Sequence, residues 1–225
     1  MKQHVIIVAG GSGSRMKSEV PKQFIQLKGK AVIVRTIEKF INFNPQISMV
    51  IAVRKDYQNL LKEILDTSGI NTTNIRITIG GETRFDSVKN GLACLAGEEG
   101  VVGIHDAARP FVSIQTITNC YHTAEKNGNA TPCLSIHESL RQLNTEGSNI
   151  VNRDAFKIIQ TPQCFQLTLI NKAFKQKYQA AFTDDASVLE TMGEKINLVE
   201  GNVENIKITT PSDLIIANAF CEHGQ

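Results

Sequence analysis

Val5-Ile6-Ile7-Val8-Ala9-Gly10-Gly11-Ser12-Gly13-Ser14-Arg15-Met16 is the stretch that decides the fold. Its first five residues form a continuous apolar run rich in Val and Ile, which is the pattern of a strand buried on both faces, and Gly10, Gly11 and Gly13 then end the run in a loop. Similar runs recur at residues 49–53, 75–78, 101–105 and 130–134. Between them lie segments of helical period: Val34, Ile37 and Ile41; Leu60, Leu61, Ile64 and Leu65; Val88, Leu92 and Leu95; Ile114, Ile117, Tyr121 and Ala124. Strand alternating with helix predicts an α/β fold with a mostly parallel sheet covered by helices on both faces.

The rhythm breaks after Leu134. Residues 138–143 and 150–153 flank the polar stretch Asn144-Thr145-Glu146-Gly147-Ser148-Asn149, which predicts a turn and hence an inserted β-hairpin. An isolated two-stranded hairpin is marginal in water, so this one is expected to pack on a partner. Beyond it the pattern predicts strands at 157–160, 196–199 and 205–208, and helices at about 167–181 and 185–192, the second closed by Gly193. Thr210-Pro211-Ser212-Asp213 reads as the start of a last helix, with Thr210 as N-cap and Pro211 at the first helical position.

Length and composition narrow the class. The 225 residues favour one large domain over two, and 24 basic against 22 acidic side chains leave a net charge of only +2. Such a balance predicts neither a nucleic-acid binder nor a disordered chain. No early apolar stretch approaches the ~18 residues of a membrane span, and Lys2 is followed by no signal-length apolar region, so neither membrane insertion nor secretion is expected. Five cysteines at irregular separations, with no C-x-x-C, fit neither a disulfide framework nor a zinc ribbon and point to a reducing cytoplasm.

Three loops carry the candidate chemistry. Glycines after a first strand let backbone N–H groups approach an anion closely, but Met16 stands where a dinucleotide fingerprint needs Gly or Ala, and no Lys-Ser or Lys-Thr follows at P-loop spacing. Arg15 and Lys22 lie just downstream, the latter after Pro21, so two cations can reach an anion held by the glycines; the alternative is a tight turn with two solvated cations. His105-Asp106-Ala107-Ala108-Arg109-Pro110 follows a buried strand, which puts Asp106 at the carboxyl edge of the sheet. There it can hold a metal ion or a ribose hydroxyl, or pair with Arg109; His105 is assigned to structure. Gly80-Gly81-Glu82-Thr83-Arg84-Phe85-Asp86-Ser87 is a second glycine turn entering a helix, able to read a base edge or to serve only as a connection.

Together with Pro21-Lys22-Gln23, Thr161-Pro162-Gln163, Thr183-Asp184-Asp185-Ala186-Ser187 and Asn205-Ile206-Lys207-Ile208-Thr209, these stretches resemble, over almost the full chain, the 2-C-methyl-D-erythritol 4-phosphate cytidylyltransferase family of the non-mevalonate isoprenoid pathway. The sister ribitol-5-phosphate cytidylyltransferases usually carry Val at the position of Ala108 and lack the Asp-Asp-Ala-Ser run. The resemblance implies a Rossmann-like nucleotidyltransferase fold and transfer of the cytidylyl group of CTP to the phosphate of the acceptor, with Mg²⁺ as cofactor. It implies a single domain over 1–225 and a hairpin arm at about 136–156 that embraces a second subunit, making a homodimer without nucleic-acid or membrane partners. Arg15, Lys22, Arg153 and Lys207 match the family's catalytic cations. Ala9, Gly10, Gly11, Ser12, Gly13, Arg15, Lys22, Gly81, Glu82, Ser87, Asp106 and Ala107 match its CTP-binding positions. Asp106, Arg109, Ser139, Arg153, Thr161 and Lys207 match its acceptor site, Asp106 being also the position nearest the metal; Ser139 stands where many members have Thr, and Glu82 where many have Asp. Alternatives are the sister activity and a CTP-sensing module without turnover.

Overall fold

A computed structural model describes residues 1–11 and 20–222. The predicted central strands form as β1 (Gln3–Ala9), β4 (Ser48–Val53), β5 (Ile75–Ile79), β6 (Val101–Asp106) and β7 (Asn129–Ser135). The predicted helices between them are α1 (Val32–Phe43), α2 (Gln58–Ser68), α3 (Arg84–Ala93) and α4 (Ile114–Asn127). A two-residue pair, β2 (Gln26–Leu27) and β3 (Lys30–Ala31), precedes α1. Later come β8 (Arg141–Asn144), β9 (Gly147–Ile150), β10 (Lys157–Ile159), β11 (Gln163–Gln166), α5 (Leu167–Ala173), α6 (Asp185–Glu190), β12 (Leu198–Glu200) and α7 (Pro211–Glu222).

Among the described residues the main sheet has eight strands, in the order β10-β7-β11-β6-β1-β4-β5, with β12 also paired to β7. Strands β5, β4, β1 and β6 run parallel, as the apolar runs predict. The chain winds from β1 through β4 to β5 on one side and then crosses to β6 on the other. Ligands of open α/β sheets bind outside the carboxyl ends of strands at such a reversal of order. One apolar layer, including Val5, Ile7, Phe40 and Ile51, packs under α1, α2 and α4; a second, including Ile6, Val88, Ile104 and Phe165, packs under α3, α5 and α6.

The second layer is tight where α3 crosses β1. A Cβ on Gly91 would stand 2.7 Å from Ile6 Cγ2, inside any real contact. Alanine favours a helix over glycine by ~1 kcal/mol, but overpacking costs about 1–3 kcal/mol, so Gly91→Ala is expected to lower stability by up to about 2 kcal/mol in urea denaturation. An unchanged midpoint would show that the helix can shift freely.

Several expectations are corrected. The helix expected over 167–181 stops at Ala173, because the chain must turn to stack both Phe174 and Phe182 on Phe85, with centroids 4.6 and 5.6 Å apart. The strand expected over 205–208 is not a strand: Asn205 N–H bonds to Asn202 O, Ile206 N–H bonds to Glu204 O, and only Ile208 N–H reaches a neighbouring segment, at Ala108 O. The strand expected at 196–199 begins at Leu198, because Asn197 is tied by its backbone N–H and side chain to Asn129. The hairpin forms, but β8 is shorter than the expected first strand, β9 is shifted back from 150–153 to Gly147–Ile150, and the turn shrinks to Thr145 and Glu146, where Asn144 Oδ1 accepts the Glu146 N–H. The helix at 185–192 ends at Glu190, short of Gly193. Strand β11 was not anticipated and lies antiparallel between β6 and β7.

Candidate functional site

A cleft of about 390 Å³ opens at the carboxyl ends of β1, β4, β5 and β6. Each strand delivers a loop to it. From β1 come Ala9, Gly10 and Gly11; from β4, Arg54; from β5, Gly81 to Arg84; from β6, Asp106, Ala107 and Ala108; and Lys22 and Lys207 flank these loops. Of the residues predicted to bind or act, Ala9, Gly10, Gly11, Lys22, Gly81, Glu82, Ser87, Asp106, Ala107 and Lys207 line this one cleft. Ser12, Gly13 and Arg15 lie outside the described residues.

Local chemistry explains how the loops are held. Pro21 ends in a 3-10 turn, Lys22–Phe24, and buried Gln23 donates to the carbonyls of Ala9 (2.7 Å) and Gly11 (3.3 Å), which pins the Lys22 turn to the exit of β1. Lys22 also lies near the start of α7, where it adds a smaller influence on Asp213, whose pKa burial would raise but the N–H groups of Thr210 and Thr209 hold below its ordinary value. In the second glycine loop, Thr83 and Asp86 form a capping box at the start of α3. Ser87 Oγ accepts the Gly81 N–H at 3.0 Å and donates to Thr83 O at 3.0 Å. A side chain at Gly81 would collide with Asp86, so glycine is needed there for the loop to approach its own helix.

Asp106 is the electrostatic centre. Its Oδ2 lies 2.8 Å from Lys207 Nζ and 3.4 Å from Arg109 Nε, and its Oδ1 lies 3.4 Å from Arg84 Nε. Burial alone would raise its pKa, but Arg84, Lys207 and Arg109 outweigh burial and hold the carboxyl far below the usual carboxylate range. The Asp106–Arg109 pair anticipated as the plain alternative is therefore present, within a larger cluster. Arg109 also donates to Asn205 O at 2.8 Å, Asn205 Nδ2 donates to Thr161 O at 2.9 Å, and Ile208 N–H donates to Ala108 O at 2.9 Å. These bonds stitch residues 205–208 across the mouth of β6, which is how Lys207 reaches Asp106.

Beneath Asp106, His105 and Thr161 form a closed hydrogen-bond chain. His105 Nε2–H donates to Arg109 O at 3.0 Å, so Nδ1 accepts the Thr161 hydroxyl at 3.0 Å, and Thr161 Oγ1 accepts the Asp106 N–H at 3.1 Å. Thr161, an expected acceptor-site residue, thus spends its hydroxyl on the frame of the site, and His105 is structural as expected. Burial pushes the His105 pKa from 6.5 down to about 4. Between those pH values the unfolded chain binds a proton that native His105 does not, so stability falls as pH drops through that window, by up to about 3 kcal/mol. Urea midpoints at pH 7 and 4.5 should differ more for the parent than for His105→Asn; equal pH dependence would contradict this assignment.

Arg84 and Asp185 are the members of the cluster that sequence reasoning did not single out. Arg84 Nη2 lies 2.6 Å from Asp185 Oδ2, across 101 residues of chain. Asp184 and Ser187 form the capping box of α6, and Gln163 Oε1 accepts the N–H groups of Asp185 and Ala186 at 3.0 and 2.9 Å, so the Asp-Asp-Ala-Ser run is a helix start anchored to β11. One signal was available: a cation at the first residue of a helix faces the unfavourable end of the macrodipole and calls for a distant acid. Ser139 and Arg153 lie apart from the cleft on the hairpin segment, both exposed, Arg153 donating to His137 O from a 3-10 turn.

A covered α/β sheet whose strand ends present two glycine loops and a ring of cations is the architecture of a nucleotide-binding α/β protein. The sequence profile of the 2-C-methyl-D-erythritol 4-phosphate cytidylyltransferase (IspD) family matches residues 3–223. Relatives bearing that name include one from Phocaeicola vulgatus, 47% identical over 98% of this chain and 100% of its own length, and one from Bacteroides thetaiotaomicron, 45% identical over the same shares. The crystal structure of 4-diphosphocytidyl-2C-methyl-D-erythritol synthase from Anaerococcus prevotii superimposes with a TM-score of 0.84 at 30% identity, covering 98% of this chain and 96% of that one. That of 2-C-methyl-D-erythritol 4-phosphate cytidylyltransferase from Francisella tularensis gives 0.79 at 33% identity, covering 97% and 99%. The chain belongs to the 2-C-methyl-D-erythritol 4-phosphate cytidylyltransferase family.

Proposed function

We propose that this protein transfers the cytidylyl group of CTP to 2-C-methyl-D-erythritol 4-phosphate, giving 4-diphosphocytidyl-2-C-methyl-D-erythritol and pyrophosphate. The observation that carries the proposal is the pair of lysines on the cleft wall: Lys22 beside the glycine loop of β1, and Lys207 against Asp106. Simple nucleotide binding needs the first; an anionic acceptor needs the second. An oxygen of the acceptor phosphate attacks the α-phosphorus in line, a P–O bond forms, and the bond to the β-phosphate breaks with its electron pair leaving on pyrophosphate. A phosphate monoester has a second pKa of about 6, so it arrives ionised and no general base is required. Lys22 and Arg15 then stabilise the negative charge on the pentacoordinate phosphorus, and Lys207 orients the attacking phosphate. The loop at 80–87 reads cytosine through its backbone, and Arg109, fixed between Asp106 and Asn205, keeps the acceptor side of the cleft rigid.

Magnesium suits this donor set as a companion of the substrate. Among the described residues no three His, Cys, Asp or Glu side chains gather as a metal site, which fits an ion bound chiefly through triphosphate oxygens and water. Asp106, whose Oδ1 has one cationic neighbour, Arg84 at 3.4 Å, against two on Oδ2, is the carboxylate of the cleft that would stand nearest the ion. When bound, Mg²⁺ supplies neutralisation of charge on the departing pyrophosphate.

The single domain spans 1–225, and the arm at about 136–156 serves dimerisation. Leu143 and Ile150, 82% and 78% exposed, support that reading, since two bare apolar side chains on a small hairpin call for a cover. The partner's Ser139 and Arg153 positions then complete each acceptor site. Among the described residues no helix is long and apolar enough to cross a membrane, and a cytoplasmic location accords with five free thiols.

Pyrophosphate release with CTP, Mg²⁺ and each acceptor in turn tests the proposal. Release with methylerythritol phosphate is expected; release with ribitol 5-phosphate alone would assign the sister activity, and none with either would leave a CTP sensor. Comparable kcat/KM for UTP or ATP would remove the 80–87 loop as base reader.

A further inference from the structure

The ion pairs of Arg84 are not needed to hold the loop that carries it. Thr83 and Asp86 already cap α3, and Ser87 already ties Gly81. A cation at the first helical residue is opposed by the macrodipole, and covering it adds a desolvation cost. Two carboxylates offset both. Asp185, 1% exposed at the start of α6, takes one end of the guanidinium at 2.6 Å, and Asp106 Oδ1 takes Nε at 3.4 Å. Because Arg109 and Lys207 both approach Oδ2, Arg84 is the described cation on Oδ1, and the Asp106 carboxylate is gripped from three separate elements.

We infer that Arg84 is a positioning residue for cytidylyl transfer: anchored by Asp185, it fixes the rotation of the Asp106 carboxylate and thereby the place of Lys207 opposite the nucleotide. Only a rigid planar fork serves two carboxylates at once, so lysine is a poor substitute. The inference rests on the proposed activity. Lys207 Nζ rests 2.8 Å from Asp106 Oδ2; with Asp106 turned away, Lys207 loses the anchor that aims it at an incoming phosphate.

Replacing Arg84 alone leaves Asp185 buried without its counter-charge, which confounds folding with function, so the test uses Arg84→Gln combined with Asp185→Asn. The expected result is melting within a few degrees of the parent, KM for CTP within about threefold because the capping box and glycine loop persist, a higher KM for the acceptor, and kcat lower by about tenfold or more, as small misplacements of reacting groups produce. Arg84→Lys keeps the counter-charge and should show the same pattern; it decides the matter should the double variant fail to fold. A folded variant with kcat and both KM values within about threefold of the parent would reduce the Arg84 bridge to scaffold, and a rise in KM for CTP alone would make Arg84 a nucleotide ligand; either overturns the inference. An inactive parent would instead overturn the assigned reaction.

Discussion

Lys22→Ala is expected to fold like the parent and to turn over about 10² to 10³ times more slowly, which corresponds to the ~3–4 kcal/mol lost when one preorganised transition-state contact is removed. The fold should survive because Lys22 is only half-buried and its turn is held by Gln23, whose side chain bonds to Ala9 and Gly11 regardless of residue 22. The loss should fall on kcat, because charge on the pentacoordinate phosphorus grows only as the reaction proceeds, and a contact that strengthens with it contributes little to ground-state binding. Arg15→Ala carries the same expectation from sequence alone. Circular dichroism, melting temperature and steady-state kinetics on Lys22→Ala check it, and near-normal turnover would remove Lys22 from the mechanism.

The second large effect is a recovery. Chains carrying Lys22→Ala or Arg153→Ala are each expected to be nearly inactive, yet co-refolding equal amounts should restore about a quarter of parent activity. In a shared-site dimer, one chain supplies Lys22 and Lys207 and the other supplies Arg153. A mixed dimer then has one site with both lesions and one with neither, and random pairing makes half of all dimers mixed. If Arg153 served its own chain, every site would carry one lesion and activity would stay at background. That outcome, or a monomer in sedimentation, contradicts the proposed arm.

The parts of this fold that were legible in the sequence are those decided by local pattern. Val5 to Ala9 reads as a buried strand because both its faces meet apolar layers, and nothing distant is needed to say so. Gln163-Cys164-Phe165-Gln166 does not, because its strand character comes from slotting antiparallel between β6 and β7, with Gln163 spent on the start of α6. Residues 205–208 look like a strand by their Ile content, but side-chain bonds from Asn205 and Arg109 hold them as a strap. The same divide runs through the site. Glycine loops and the Asp106 edge position announce themselves by neighbours in sequence; the bridge from Arg84 to Asp185 links residues from two helix starts 101 positions apart, which meet only in the folded chain.

The most direct measurement of the central claim follows an oxygen label. Methylerythritol phosphate carrying ¹⁸O in its non-bridging phosphate oxygens, incubated with CTP, Mg²⁺ and this protein, should deliver all of its label to a cytidine diphosphate diester with two coupled phosphorus resonances, and pyrophosphate should leave unlabelled. Label in the released phosphate or pyrophosphate, or a product with a single phosphorus, would contradict attack by the acceptor phosphate on the α-phosphorus of CTP.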